Sequence, residues 1–161
     1  QVGSSAASDV YKRQSLERAG IKTRLMSAIS MSGIVEHYDR RLAIQLFSDG
    51  YVVILTAGTG NPFFTTDTAG CLRAIETQAN LMLKATRVDG VYDSDPETNE
   101  NAKFYDTLTF DDAILKNLKV MDATALTLAR DHKLPINVFN VNQPDAVRDI
   151  ISGKKIGTLI N

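Results

Sequence analysis

The sequence predicts an α/β protein, a three-layer α/β/α sandwich built on a mainly parallel sheet. Two observations carry this. Four apolar segments have strand length: "RLMSAI" (24–29), "YVVILTA" (51–57), "LMLKAT" (81–86) and "INVFNV" (136–141). Between them lie stretches with helical periodicity, and strands alternating with helices imply right-handed βαβ units. The second strand has Val52, Val53, Ile54 and Leu55 in unbroken succession, the pattern of a strand buried on both faces by helices.

The helices follow in order. "RRLAIQLFSDG" (40–50) sets Leu42, Leu46 and Phe47 on one face and stops at Gly50. "DTAGCLRAIETQA" (67–79) groups Leu72, Ile75 and Ala79. "TFDDAILKNL" (109–118) opens with Thr109 and has Asp112 three residues later, a capping-box spacing. "DATALTLARDHK" (122–133) and "PDAVRDIIS" (144–152) complete the set. No repeat or internal linker interrupts the chain after residue 15. The opening "QVGSSAASDVYKRQ" (1–14) is small and polar, lacks the apolar centre of a signal peptide and does not begin with methionine. We read it as a foreign lead-in; a natural helical approach to "SLERAGIKT" is the alternative.

Bulk chemistry excludes several classes. The 161 residues suffice for one domain with a real core. Eighteen basic against nineteen acidic side chains give no excess to hold a phosphate backbone, so no nucleic-acid partner is expected. A single Cys71 allows no internal disulfide and fits a reducing, cytoplasmic setting. No apolar run reaches the ~20 residues that cross a bilayer, so no membrane partner is expected.

In open parallel sheets ligands bind beyond the carboxyl ends of the strands. Two unusual loops leave such ends, "GTGNPFFTTD" (58–67) and "TRVDGVYDSDPETNENAKF" (86–104). If their strands are parallel, as one intervening helix suggests, both open on the same edge of the sheet. In the first loop Gly58 and Gly60 allow close backbone approach. Thr65, Thr66 and Asp67 stand where a helix begins, an anion-binding end. Thr59 and Asn61 can read a base edge, and Phe63 and Phe64 can wall a flat ring. The competing explanation is a helix cap at Thr66 or Asp67 with the phenylalanines in the core. Neither G-x-x-x-x-G-K-[ST] nor G-x-G-x-x-G is present. In the second loop Tyr92 can stack on a purine and Asp95 can accept from a ribose hydroxyl, against a plain solvated turn. A calcium loop starting at Asp93 fails, because Thr98 and Phe104 occupy its glycine and glutamate positions. Asp122 is explained by an N-cap alone. His37 and His132 have no partners at metal spacing, and Cys71 has no evident base.

Three ordered blocks carry a resemblance: "TAGTGNPFFTTD" (56–67), "LKATRVDGVYDSDP" (83–96) and "KVMDATALTLARDHKLPINVFN" (119–140). With "RLMSAI" before them and "GTLI" (157–160) after, the chain resembles bacterial uridylate kinases of the amino-acid-kinase superfamily over about nine-tenths of its length. The resemblance implies that Mg-ATP gives its γ-phosphoryl to UMP. It implies a UMP loop of Thr59, Gly60, Asn61, Pro62, Phe63, Phe64, Thr65 and Thr66, and ATP contacts at Thr86, Tyr92 and Asp95. Asp122 would lie near the transferring phosphoryl, and Asp67 would help align that region. It further implies a homohexamer with GTP activation and UTP inhibition, with Arg24 the retained residue linked to the effector site.

The family pattern also has an amino-terminal lysine segment of "KxSGE" type and a "GGGN" loop, and neither occurs in these residues. Residues 15–161 are therefore expected to be the carboxyl-terminal part of a single nucleotide-kinase domain, truncated at the amino end. As an isolated polypeptide they should have little or no kinase activity and should expose sheet edge and apolar surface. Rival readings are a carbamate or amino-acid kinase, a non-catalytic nucleotide-binding module, and an interaction protein.

Overall fold

The computed structural model describes residues 2–31, 33 and 35–161, with side chains from Ala7 onward; Gln1 of the polar lead-in lies outside the described residues. The chain forms two compact units, Gln1–Ala69 and Gly70–Asn161.

The first unit contains α1 (Val2–Arg18), β1 (Thr23–Ser27), β2 (Glu36–His37), α2 (Arg40–Ser48) and β3 (Val52–Thr56), and α3 (Thr66–Glu76) begins in it. Residues 2–14 are continuous with Ser15–Arg18 in one helix, which lies against β1 and β3. The sheet order is β2-β1-β3 with every pair parallel, and β1 runs beside β3 from Thr23↔Val52 to Ser27↔Thr56. Asp39 caps α2 by accepting from the Leu42 amide at 2.7 Å. Gly50, at φ +77°, turns the chain out of the helix while the Tyr51 amide returns to the Leu46 carbonyl, a left-handed stop that glycine permits.

Two expectations change in this unit. Ala43 and Leu46 are the buried face of α2, whereas Phe47 is exposed. Five helical steps from Leu42 swing Phe47 about 140° away from it. The run Val52–Leu55 is not buried on both faces: Val52 is exposed and Val53, Ile54 and Leu55 are half-buried. Among the strands β3 pairs with β1 alone and so forms an edge of its sheet. Tyr51, Val53 and Leu55 pack with Met26, Ala43 and Leu46 into an apolar cluster this sheet shares with α2.

The second unit follows the prediction more closely. It contains β4 (Met82–Thr86), β5 (Val91–Tyr92), β6 (Phe104–Tyr105), β7 (Thr107–Leu108), α4 (Phe110–Leu115), α5 (Ala123–Asp131), β8 (Ile136–Asn140), α6 (Ala146–Ile151) and β9 (Thr158–Ile160). Sheet order is β4-β8-β9-β7, with β4–β8 and β7–β9 parallel and β8–β9 antiparallel. Alternation along β8 places the layers. Ile136 and Val138 join the larger core with Leu126 and Ala129 of α5. Phe139 packs on Ala146 and Ile150 of α6. Helices therefore cover both faces of this sheet. β5 and β6 form a separate antiparallel hairpin.

β3 pairs with β1 in the first unit, and β4 pairs with β8 in the second, in register from Met82↔Ile136 to Thr86↔Asn140. No helix among the described residues is long and apolar enough to cross a membrane.

Candidate nucleotide site

The loop after β3 is a strained, self-bonded turn. Within seven residues Ala57, Gly58, Gly60 and Phe63 take positive φ, of 67°, 60°, 79° and 69°. Gly60 is fixed by space as well as by conformation, since a Cβ there would stand 2.9 Å from the Ala28 carbonyl oxygen. The Thr59 hydroxyl accepts from the Asn61 amide at 3.1 Å, and the Asn61 carboxamide donates back to the Thr59 carbonyl at 3.4 Å. These two residues are thus oriented by each other.

Phe63 is fully exposed and Phe64 more than half exposed. They are not core residues, which removes one half of the bland explanation for this loop. The other half needs a shift of position: the cap of α3 is Thr65, whose hydroxyl accepts from the Thr68 amide at 3.1 Å. Thr66 is the first helical residue, and Asp67 lies half-buried in the first turn, where the helix dipole favours an acid.

The second loop is ordered by its own acidic groups. Thr86 ends β4, with its hydroxyl 2.7 Å from the Val88 carbonyl and 3.2 Å from that of Phe139 on the neighbouring strand. Asp89 accepts from the Asn140 carboxamide at 2.9 Å, which ties the loop to the end of β8. Asp93 closes the hairpin by accepting from the Lys103 amide at 2.8 Å. That backbone hydrogen bond, with a smaller one from Ser94, holds its carboxyl below the ordinary aspartate value. Asp95 accepts from the Glu97 amide at 2.9 Å, a local turn that fixes its carboxylate. Tyr92 meets Phe104 edge-on, with ring centroids 5.3 Å apart.

Tyr92 and Asp95 share a cleft of about 370 Å³. Its other wall is the segment Lys116–Lys119 that joins α4 to α5. The two walls are linked, because the Lys116 ammonium lies 5.4 Å over the Tyr105 ring of the hairpin. Sequence reasoning missed this wall. "LKNLK" reads as the tail of a helix, and only the tertiary fold sets it opposite Tyr92.

Thr86 and Asp122 do not line this cleft. Asp122 is the N-cap of α5 and accepts from the Ala125 amide at 3.0 Å. Arg24 is ion-paired to Glu36 at 2.8 Å across β1 and β2, and this hydrogen bond raises its pKa further. His37 and His132 are exposed. Cys71 is fully buried, its sulfur 3.4 Å from that of Met82. Among the described residues no three His, Cys, Asp or Glu side chains gather in a way that could hold a metal ion.

The sequence model of the amino acid kinase family matches residues 5–140. The chain belongs to the amino acid kinase family. Among curated relatives, the uridylate kinase of Marinobacter nauticus is 57% identical over 148 residues, 92% of this chain and 61% of that protein. Among solved structures, the UMP kinase of Bacillus anthracis superposes with a TM-score of 0.94 at 40% identity, covering 97% of this chain and 65% of that one. The UMP kinase of Ureaplasma parvum gives 0.93 at 36% identity, covering 100% and 69%. The α/β amino acid kinase fold is thereby established. The chain spans about three fifths of the length of the curated relatives it matches.

Proposed function

We propose that this chain is part of a UMP kinase, which transfers the γ-phosphoryl group of ATP to UMP and yields UDP and ADP. The observation that carries the proposal is the 57% identity to a uridylate kinase across 92% of the chain, a span that includes both ordered loops. The loop Thr59–Thr66 is the acceptor site. It offers an exposed aromatic pair for the uracil ring, a mutually oriented Thr59 and Asn61 for its edge, and the start of α3 for the phosphate. Tyr92 and Asp95 belong to the donor site. Their cleft admits a purine between an aromatic ring and a backbone segment, with the Asp95 carboxylate available to a ribose hydroxyl. Thr86 sets the start of that loop.

Catalysis of this kind is positioning and charge stabilisation. A nucleotide phosphate with a second pKa near ~6 is largely dianionic at neutral pH and needs no general base. Asp122 and Asp67 are proposed as the carboxylates that organise the transfer. Magnesium enters with the substrate as Mg-ATP. Homohexamer assembly, GTP activation, UTP inhibition, Arg24 as a residue of the effector site and a cytoplasmic location are further parts of the proposal.

The test joins this chain behind the amino-terminal part of the Marinobacter nauticus relative and follows ADP release with UMP, carbamate or glutamate as acceptor. Turnover with UMP alone is expected, and the 161-residue polypeptide by itself is expected to give little. Turnover with carbamate or glutamate in preference to UMP would refute the proposal, and tight UMP binding without turnover would make this a binding module.

A further inference from the structure

We propose that Thr158 is a positioning residue for the donor-nucleotide cleft, acting through Tyr92. The inference rests on the reading of that cleft as the ATP site, and concerns a residue outside the loops that touch it.

Thr158 opens β9, pairs with Val138 of β8 and is completely buried. Its hydroxyl accepts from the Val91 amide at 2.8 Å and donates to the Tyr105 carbonyl. Val91 and Tyr105 face each other across the β5–β6 hairpin. One side-chain oxygen therefore holds both strands of the hairpin at its root and fastens them to the main sheet. Gly90 makes the approach possible, since a Cβ there would fall 2.5 Å from this hydroxyl and 2.8 Å from the Phe104 ring.

The residue after Val91 is Tyr92, the aromatic wall of the cleft. The opposite wall has an anchor of its own, the Leu118 amide returning to the Ala113 carbonyl, and it meets the hairpin where Lys116 lies over Tyr105. The separation of the walls is thus set where Thr158 grips the hairpin. A side chain without the hydroxyl takes from the buried Val91 amide and the part-buried Tyr105 carbonyl the partner that joins them, and relaxing the hairpin toward water is one way to satisfy them. Tyr92 then retreats from the base.

In the protein joined behind the amino-terminal part of the Marinobacter nauticus relative, the experiment compares Thr158→Ser, Thr158→Ala and Thr158→Val with the unaltered chain by calorimetric titration with Mg-ATP and, separately, UMP. Amide hydrogen exchange at Val91 is recorded alongside. Ser and Ala differ by the hydroxyl alone. Ser is expected to bind ATP as the unaltered chain does, while Ala and Val bind it about tenfold more weakly, the scale of a buried polar group left unpaired. UMP affinity should be equal in all of them. Equal ATP affinity in Ser and Ala overturns the inference, as does an equal loss of UMP and ATP binding. An unaltered chain that binds no ATP sinks the nucleotide reading instead, and the Val91 amide then decides the clamp by exchanging faster in Ala than in Ser. If the variants without the hydroxyl do not fold, the unaltered chain decides it. Val91 must be protected like the amides of β8, and exchange at the rate of the exposed loop would refute the clamp.

Discussion

Gly60 lies against the end of β1 so closely that a Cβ would stand 2.9 Å from the Ala28 carbonyl oxygen. The loop after β3, proposed as the acceptor site, therefore rests on backbone, and backbone cannot yield as a flexible side chain can. Gly60→Ala also forces alanine to φ near +79°. The expected cost is about 1–3 kcal/mol. Because the loop must also shift, kcat/KM for UMP in the joined protein should fall by roughly 10²-fold. Thermal melts and initial rates check the two parts. A variant with unchanged UMP kinetics would show that loop placement is not critical.

Phe63 presents the opposite case, a strained residue that buries nothing. Its φ is +69° and its ring is fully exposed. Asparagine tolerates that conformation, so Phe63→Asn should raise stability by roughly 0.5–1 kcal/mol. If the ring contacts uracil, the same change should raise KM for UMP. Gaining stability and losing affinity together is the expected signature of a residue kept for its ligand. A gain in stability with KM unchanged would remove Phe63 from the acceptor site.

The elements legible in the sequence were those long enough to show a period. β1, β3, β4 and β8 each have five residues, and the helices between them carry recognisable caps at Thr109 and Asp122. β5, β6 and β7 have two residues each and β9 three, which is too short for alternation to register. The cap of α3 was misplaced because three consecutive residues, Thr65, Thr66 and Asp67, are all of capping type. Thr158 was invisible for a different reason. Its partner Val91 is 67 residues away, and no local pattern marks a hydroxyl that works across that distance.

Asp122 has an observed role and a proposed one to separate, cap and catalyst. Asparagine caps nearly as well as aspartate, so Asp122→Asn should leave stability within a few tenths of a kcal/mol, whereas Asp122→Ala should cost about 1 kcal/mol. A carboxylate that organises phosphoryl transfer loses its charge in both. Turnover should then fall roughly 10²-fold or more in each variant, independently of the melting temperature. Full activity in Asp122→Asn would leave Asp122 as a cap and nothing more.

Asp93 gives a prediction in pH. Its carboxyl is held below the ordinary aspartate value, first by the Lys103 amide and then by Ser94. A depressed folded value means that the ionised form favours the closed hairpin. That contribution is complete above the unfolded aspartate value and disappears as pH falls through the lower folded one. The Lys103 amide resonance should therefore titrate below the range of a free aspartate, and its exchange protection should be lost over the same interval. Because a hydrogen bond is the main cause and the Lys103 charge a lesser one, added salt should move the midpoint little. Asp93→Ala should abolish the titration and leave the Lys103 amide unprotected at every pH. A midpoint at or above that of free aspartate would show that the hairpin is not closed by this carboxylate.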